Sequence, residues 1–268
     1  MSTTPSSPPG SATAQGDLWS ARAQDWADIQ EIVQRPLFTA ILQEMMQGPH
    51  VDLLDVGCGS GLFAAMAAAA SRVAGIDASG ALLAVAKRRT PQGDFRVGEM
   101  ETLPFDSRSF DVVTGINSFQ FATDPVNALR EARRVGLPNA RIIIVTWGQP
   151  EDCETSAYIA ALGPPGPPPP PGAPGPFALS HDGALAALAE QAGLLPQDVR
   201  DVECPFIYPD EETAMRGLLS AGPAVKAMQT QGEENIRELL RSALAPFRTA
   251  NGGYRMKNRF RYLVSRNP

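Results

Sequence analysis

One stretch restricts what this chain can become: Val51 to Gly61, Val-Asp-Leu-Leu-Asp-Val-Gly-Cys-Gly-Ser-Gly, where an apolar run breaks into three glycines at alternate positions. Val51, Leu53, Leu54 and Val56 carry the short, nearly continuous hydrophobicity of a strand buried on both faces of a parallel sheet. Ser60 to Ala70 then predicts a helix, with Ser60 as its cap. Gly57, Gly59 and Gly61 lack a Cβ, so the loop between strand and helix can adopt positive φ and let a ligand approach the backbone.

Dinucleotide-binding folds use a similar glycine turn, and three features separate the two. The dinucleotide fingerprint is Gly-x-Gly-x-x-Gly, whereas here Leu62 stands where its last glycine belongs. Asp55, two residues before Gly57, would repel a pyrophosphate but suits a ligand carrying an ammonium or sulfonium. Asp77 ends a second apolar run, Val73 to Ile76, twenty positions after Gly57, where a carboxylate can accept hydrogen bonds from both hydroxyls of a ribose.

At this point the residues resemble the class I S-adenosylmethionine-dependent methyltransferases, in particular the methyltransferase type 11 group. The resemblance continues through Gly98-Glu99-Met100-Glu101-Thr102-Leu103-Pro104-Phe105 and Ser109-Phe110-Asp111-Val112-Val113 to the strand ending at Trp147. It implies S-adenosyl-L-methionine as cofactor, held by Asp55, Gly57, Gly59, Gly61, Asp77 and Ala78. By the same resemblance Glu99 accepts from the exocyclic amine of the adenine and Met100 lies against the ring. Trp19, Arg22 and Trp26 are implied near the methionine end, although the two tryptophans would equally serve to pack a helix onto the core.

Composition narrows the partners. The 268 residues suffice for one α/β domain with an elaboration. Lys and Arg number 23 against 29 Asp and Glu, a net charge of −6, which disfavours a nucleic-acid partner and favours a small or neutral substrate. Cys58, Cys153 and Cys204 have neither paired spacing nor a histidine partner, so a reducing cytoplasmic location and no metal are expected. Residues 1–16 lack the basic and apolar regions of a signal peptide and read as a disordered tail. No apolar run approaches the length needed to span a bilayer.

Along the chain, 17–46 predicts an N-terminal helical cover, and 51–148 alternates strand and helix as a cofactor-binding core. Ser79 caps the helix after the second strand, and Asp124 with Pro125 opens the helix after the fourth. The loop Asn117-Ser118-Phe119-Gln120-Phe121 ends the fourth strand, where ligands meet an open α/β sheet. Asn117 is therefore assigned to the cofactor, and Gln120 and Phe121 to the acceptor; in extended backbone Phe119 and Phe121 could not both face the site. The Pro/Gly-rich stretch 163–176 reads as a stiff surface loop. Ser180 is expected to cap a helix ending at Gly193, Val199 to Tyr208 to form a sixth strand, and 211–247 to form a helical cap inserted before a last strand within Tyr254 to Val264. Leu218, Leu219, Val225 and Met228 of that cap could line a pocket, pack on the sheet or, in a homodimer, meet a second copy.

The expected fold is a Rossmann-like, doubly wound α/β sheet, mostly parallel with an antiparallel C-terminal strand, in one methyltransferase domain with a helical cap. Methyl transfer from a sulfonium needs alignment and water exclusion more than a base, and no catalytic residue is assigned. His50 and His181 read as surface residues; Asp152, Glu154 and Tyr158 lie after the fifth strand without a distinguishing signal. The expected function is methyl transfer to oxygen, nitrogen or carbon of a small organic molecule. An NAD-linked oxidoreductase and a non-catalytic cofactor-binding protein of the same fold are the alternatives.

Overall fold

The computed structural model describes residues 10–45, 51–69, 71–163 and 175–268. His50 and most of the Pro/Gly-rich stretch lie outside the described residues. The strands are β1 (Val51–Val56), β2 (Ser71–Asp77), β3 (Asp94–Val97), β4 (Phe110–Ile116), β5 (Gly136–Trp147), β6 (Leu195–Glu203), β7 (Phe206–Tyr208), β8 (Tyr254–Met256) and β9 (Arg259–Arg266). Seven form one sheet in the order β3-β2-β1-β4-β5-β9-β6. The first five are parallel, and β9 runs antiparallel between β5 and β6, with Ile143 opposite Val264. The chain steps outward from β1 to β3 and then returns to β4, so a crevice opens at the carboxyl ends of β1 and β4.

The N-terminal cover comprises α1 (Ala12–Ser20), the short α2 (Ala23–Asp25), a π-helical turn at Trp26–Gln30, a 3₁₀ turn at Ile32–Gln34 and α3 (Arg35–Met45). Helix therefore begins inside the stretch expected to be a disordered tail. Its first free amide, Ala12 N, donates to Glu99 Oε2 at 2.7 Å, so the N-terminus of α1 is satisfied by a carboxylate distant in sequence. Local composition carries no trace of that contact.

Helices α4 (Leu62–Ala67), α5 (Gly80–Arg89) and α6 (Pro125–Val135) link the parallel strands, followed by α7 (Ser156–Leu162) and α8 (Ala184–Gln191). Ser79 Oγ accepts from Leu82 N at 3.1 Å and Asp124 Oδ1 from Asn127 N at 3.0 Å, the two caps expected there. Two other expected caps are corrected. Helix α4 starts after Gly61 and Ser60 turns to the N-terminal cover, while α8 starts after Gly183, three residues beyond a buried Ser180. The expected sixth strand is likewise two strands, because Pro205 has no N–H to continue a ladder. Thus β6 stays in the main sheet and β7 pairs with β8 in a separate two-stranded sheet.

From that small sheet emerges the cap, α9 (Glu211–Leu219), α10 (Gly222–Gln231) and α11 (Glu233–Leu244). Leu218, Leu219, Ile236, Leu240 and Leu244 are buried in the same cluster as Leu53, Phe63 and Val112, and Met228 packs against it. Each such side chain contributes roughly 2 kcal/mol on burial, so together they rival the net stability of a domain and make the cap integral to the fold.

Candidate active site

At the end of β1 the backbone turns through Gly57, Gly59 and Gly61 with φ of +76°, +56° and +76°. Gly57 abuts the loop after β4, where a Cβ would come within 2.4 Å of Ser118 Cβ. Gly61 does a different job: a Cβ there would stand 2.6 Å from Ala86 Cβ, so it lets α4 approach α5 and does not line the crevice. Gly59 N donates to Asp77 Oδ2 at 2.9 Å and Ser79 N to Asp77 Oδ1 at 2.8 Å, which fixes that carboxylate at the crevice wall. Loss of solvent raises its pKa, and the backbone donors hold the shift back.

Asp55 is buried, and Thr114 Oγ1 donates to its Oδ1 at 2.7 Å. Desolvation pushes its carboxyl up to about 7; the Thr114 bond opposes this, while nearby Glu31 and Asp77 add to it.

These groups border a cavity that is partly open to solvent. Its walls come from the N-terminal cover, the glycine loop, the ends of β2, β4 and β5, and α7. Asp55, Gly57, Gly59, Asp77, Ala78, Glu99, Met100, Asn117, Trp19 and Phe121 all lie on these walls. Three other sequence candidates do not. Arg22 is directed to Glu233 at 2.8 Å, Gly61 packs on α5, and Gln120 is buried with Nε2 3.4 Å from Asn117 Oδ1. The loop after β4 is a 3₁₀ turn, Phe119–Phe121, so Phe119 enters the core over Gly115 while Phe121 reaches the cavity, 5.9 Å from the Trp19 ring.

Sequence reading missed Glu31. Its Oε1 accepts from Ser60 N at 3.0 Å, and its Oε2 is bonded by Ser60 Oγ and the Arg89 guanidinium. Arg89 Nη2 also donates to Ala27 O at 2.6 Å, so one buried network ties the cover, the glycine loop and α5 together. Burial raises the Glu31 pKa, with Ser60 and Arg89 lowering it. No local signal marked it, since Trp26 stands five residues before it, off the helical spacing of three or four. Of the base candidates, Tyr158 is buried on the cavity wall, whereas Asp152 pairs with Arg259 and Glu154 accepts from Lys257 N. His181 is exposed. Trp26 Nε1, Ser118 Oγ and Thr155 Oγ1 line the cavity as buried polar atoms without a protein partner. Leu218, Leu219, Val225 and Met228 do not line it; the cap contributes Ala221 and Pro223.

Residues 54–144 match the family described as methyltransferase domain. Among curated proteins, the chain is 38% identical to the demethylmenaquinone methyltransferase of Thermotoga maritima over 73 residues, 27% of this chain and 32% of that protein. It is 27% identical to the malonyl-[acyl-carrier protein] O-methyltransferase of Erwinia pyrifoliae over 191 residues, 71% of this chain and 69% of the relative. The chain thus spans about a third of the length of the first and 69% of the second. The fold is shared with the YcgJ protein from Bacillus subtilis, at a TM-score of 0.59 and 19% identity over 85% of this chain and 97% of that one.

Proposed function

We propose that the chain transfers the methyl group of S-adenosyl-L-methionine to a small organic acceptor. The observation that carries this reading is Asp55, a buried carboxyl at a strand end beside the glycine loop, with Asp77 and Glu99 on the same cavity wall. That placement suits a cation and penalises the pyrophosphate of a dinucleotide. The residues fit the cofactor. A Cβ on Gly59 would meet Glu31 Oε1 at 3.1 Å and Trp26 Nε1 at 3.4 Å, so only a bare backbone keeps this cradle open, and the unpartnered Trp26 Nε1 and Ser118 Oγ offer donors for a carboxylate. Asp77 would hold the ribose hydroxyls, Glu99 the adenine amine and Asp55 the positive end.

When bound, the cofactor supplies a methyl group already activated by the positive sulfur. The chain's own residues align the acceptor against it and keep water out: the π-helical turn carries Trp26 over the glycine loop beside Gly59, and α1 seats Gly16 on the Ala78 carbonyl, where a Cβ would come within 2.6 Å. Tyr158 stays protonated, because burial raises its pKa, and so serves as a hydrogen-bond donor and not a base. Cys58, Cys153 and Cys204 are free and buried, which suits a reducing cytoplasm; among the described residues no helix is long and apolar enough to cross a membrane.

Calorimetric titration with S-adenosyl-L-methionine and with NAD tests the reading. Binding of the first in the micromolar range is expected, the usual scale for an enzyme ligand, with none of the second. A preference for NAD overturns it. Label transfer from methyl-labelled cofactor into metabolite extracts then distinguishes turnover from binding alone.

A further inference from the structure

We infer that the acceptor chamber selects an uncharged aromatic molecule carrying a hydrogen-bonding group on one edge, and discriminates against anionic acceptors. The inference rests on the methyl-transfer reading above and specifies its substrate class. The cavity lining includes four aromatic side chains, Phe38, Trp147, Tyr158 and Phe206, with the Trp147 and Phe206 rings 5.7 Å apart in an edge-to-face arrangement. Aromatic edges and faces together favour a ring as guest, through edge-to-face and offset-stacked contacts.

Four neutral polar residues of the cavity wall are each at least nine-tenths buried: Gln30, Gln34, Thr155 and Tyr158. Their internal bonds decide what remains for a guest. Tyr208 Oη donates to Gln30 Oε1 at 2.7 Å, which occupies the amide oxygen and leaves the Gln30 NH₂ as a donor. Gln34 Nε2 turns toward Gln30 O at 3.4 Å, leaving the Gln34 Oε1 as an acceptor. Thr155 Oγ1 has no protein partner. The edge therefore offers a donor, an acceptor and two hydroxyls, with no net charge.

Every charged residue among the described lining is acidic: Glu31, Asp55, Asp77 and Glu99. Arg89, the cation bonded to Glu31, is consumed by Glu31, Ser60 and the Ala27 carbonyl. A carboxylate or phosphate in the chamber would be desolvated without a counter-ion and placed near like charges, whereas a phenol, hydroxyl or carbonyl would meet a matched partner.

The test uses ester and acid pairs, methyl gallate against gallate and methyl vanillate against vanillate, titrated at pH 6.5 into the full chain with and without S-adenosylhomocysteine. All three tryptophans of the chain line the cavity, so quenching of their fluorescence reports occupancy directly. Saturable quenching by the neutral member is expected, with a Kd at least ten-fold below that of its anion. Equal or tighter binding of the anions overturns the inference, and so does the absence of quenching by either neutral compound up to its solubility limit. Gln34→Arg, which adds the missing cation, should bring the anions to parity or better; a folded variant with an unchanged preference counts against the charge argument. Should that variant not fold, Tyr158→Phe removes only a hydroxyl and is expected to weaken the neutral compounds at least three-fold with cofactor affinity unchanged. No change in their binding would remove the hydrogen-bonding edge. Failure of the methyl-transfer reading shows separately, as no binding of S-adenosyl-L-methionine, whatever the ratio between neutral and anionic compounds.

Discussion

At the scale of single residues, Asp55 sets the electrostatics of the site. In the fold its carboxyl keeps a proton up to about 7, while in the unfolded chain it titrates near the ordinary 3.8. The folded state therefore binds more protons between those values, and the Asp55 contribution to stability falls as pH rises through that window and levels off above it. The loss is on the order of a few kcal/mol. Asp55→Asn should flatten this slope in urea melts at pH 5 and pH 8, and a slope unchanged by the substitution would mean that another group is responsible. A cationic ligand favours the ionised form, so cofactor affinity in the native protein should rise from pH 6 to pH 8 with proton release, visible by calorimetry in buffers of different ionisation enthalpy. Asp77→Ala should weaken the cofactor by roughly 1.5 to 3 kcal/mol through lost charge-assisted bonds, and unchanged affinity would mean that the ribose is held elsewhere. Both acids were legible because each occupies a fixed position relative to the glycines. Glu31 was not, since a glutamate within a helical stretch is ordinary until Ser60 and Arg89 close on it in space. Arg22 read as a ligand group for the same reason in reverse: its partner Glu233, the first residue of α11, lies 211 positions further along the chain.

Among elements, the junction of α4, α5 and the N-terminal cover concentrates the packing constraints. Gly61 combines a φ of +76° with the 2.6 Å approach to Ala86. Gly61→Ala should therefore cost about 2 kcal/mol or more in denaturant unfolding, and adding Ala86→Gly should recover only the contact part, because the backbone strain persists. Full recovery would show that the strain is negligible. Arg89→Ala strands the buried Glu31 carboxylate and should cost on the order of 3 kcal/mol, whereas Glu31→Gln in the same background should return part of it, because the stranded charge is then gone. Additive losses would exclude coupling between the two. Element order was readable from alternation, because a run such as Ile142 to Val145 can be apolar throughout only when both faces are buried. Boundaries were less so. Ser60 and Ser180 look like caps by residue type, but Ser60 is drawn to Glu31 and Arg89, and the chain around Ser180 delays helix until after Gly183.

For the whole molecule, the two additions to the sheet differ in kind although both read as helical from sequence. The cap feeds leucines into the central cluster, and replacing residues 211–247 by a short turn should abolish cooperative unfolding. Helix α1 is held otherwise: Gly16 is its one fully buried residue, and its anchors are the Glu99 carboxylate, the Ala78 carbonyl and the Trp19 contact with Gly222 of α10. An element with so little buried apolar surface belongs to the low-stability end of the molecule and can open without disturbing the core. Removing α1 would free Glu99 from Ala12 N and uncover the cavity wall formed by Gln15 and Trp19. A chain lacking residues 1–20 should accordingly unfold in a single transition with a midpoint only a few degrees lower, while losing at least ten-fold in cofactor affinity and showing Trp26 emission shifted to the red. Thermal melts, calorimetry and fluorescence on the same preparation separate the outcomes. Loss of folding would place α1 in the core, and unchanged affinity would show that the cover takes no part in enclosing the ligand.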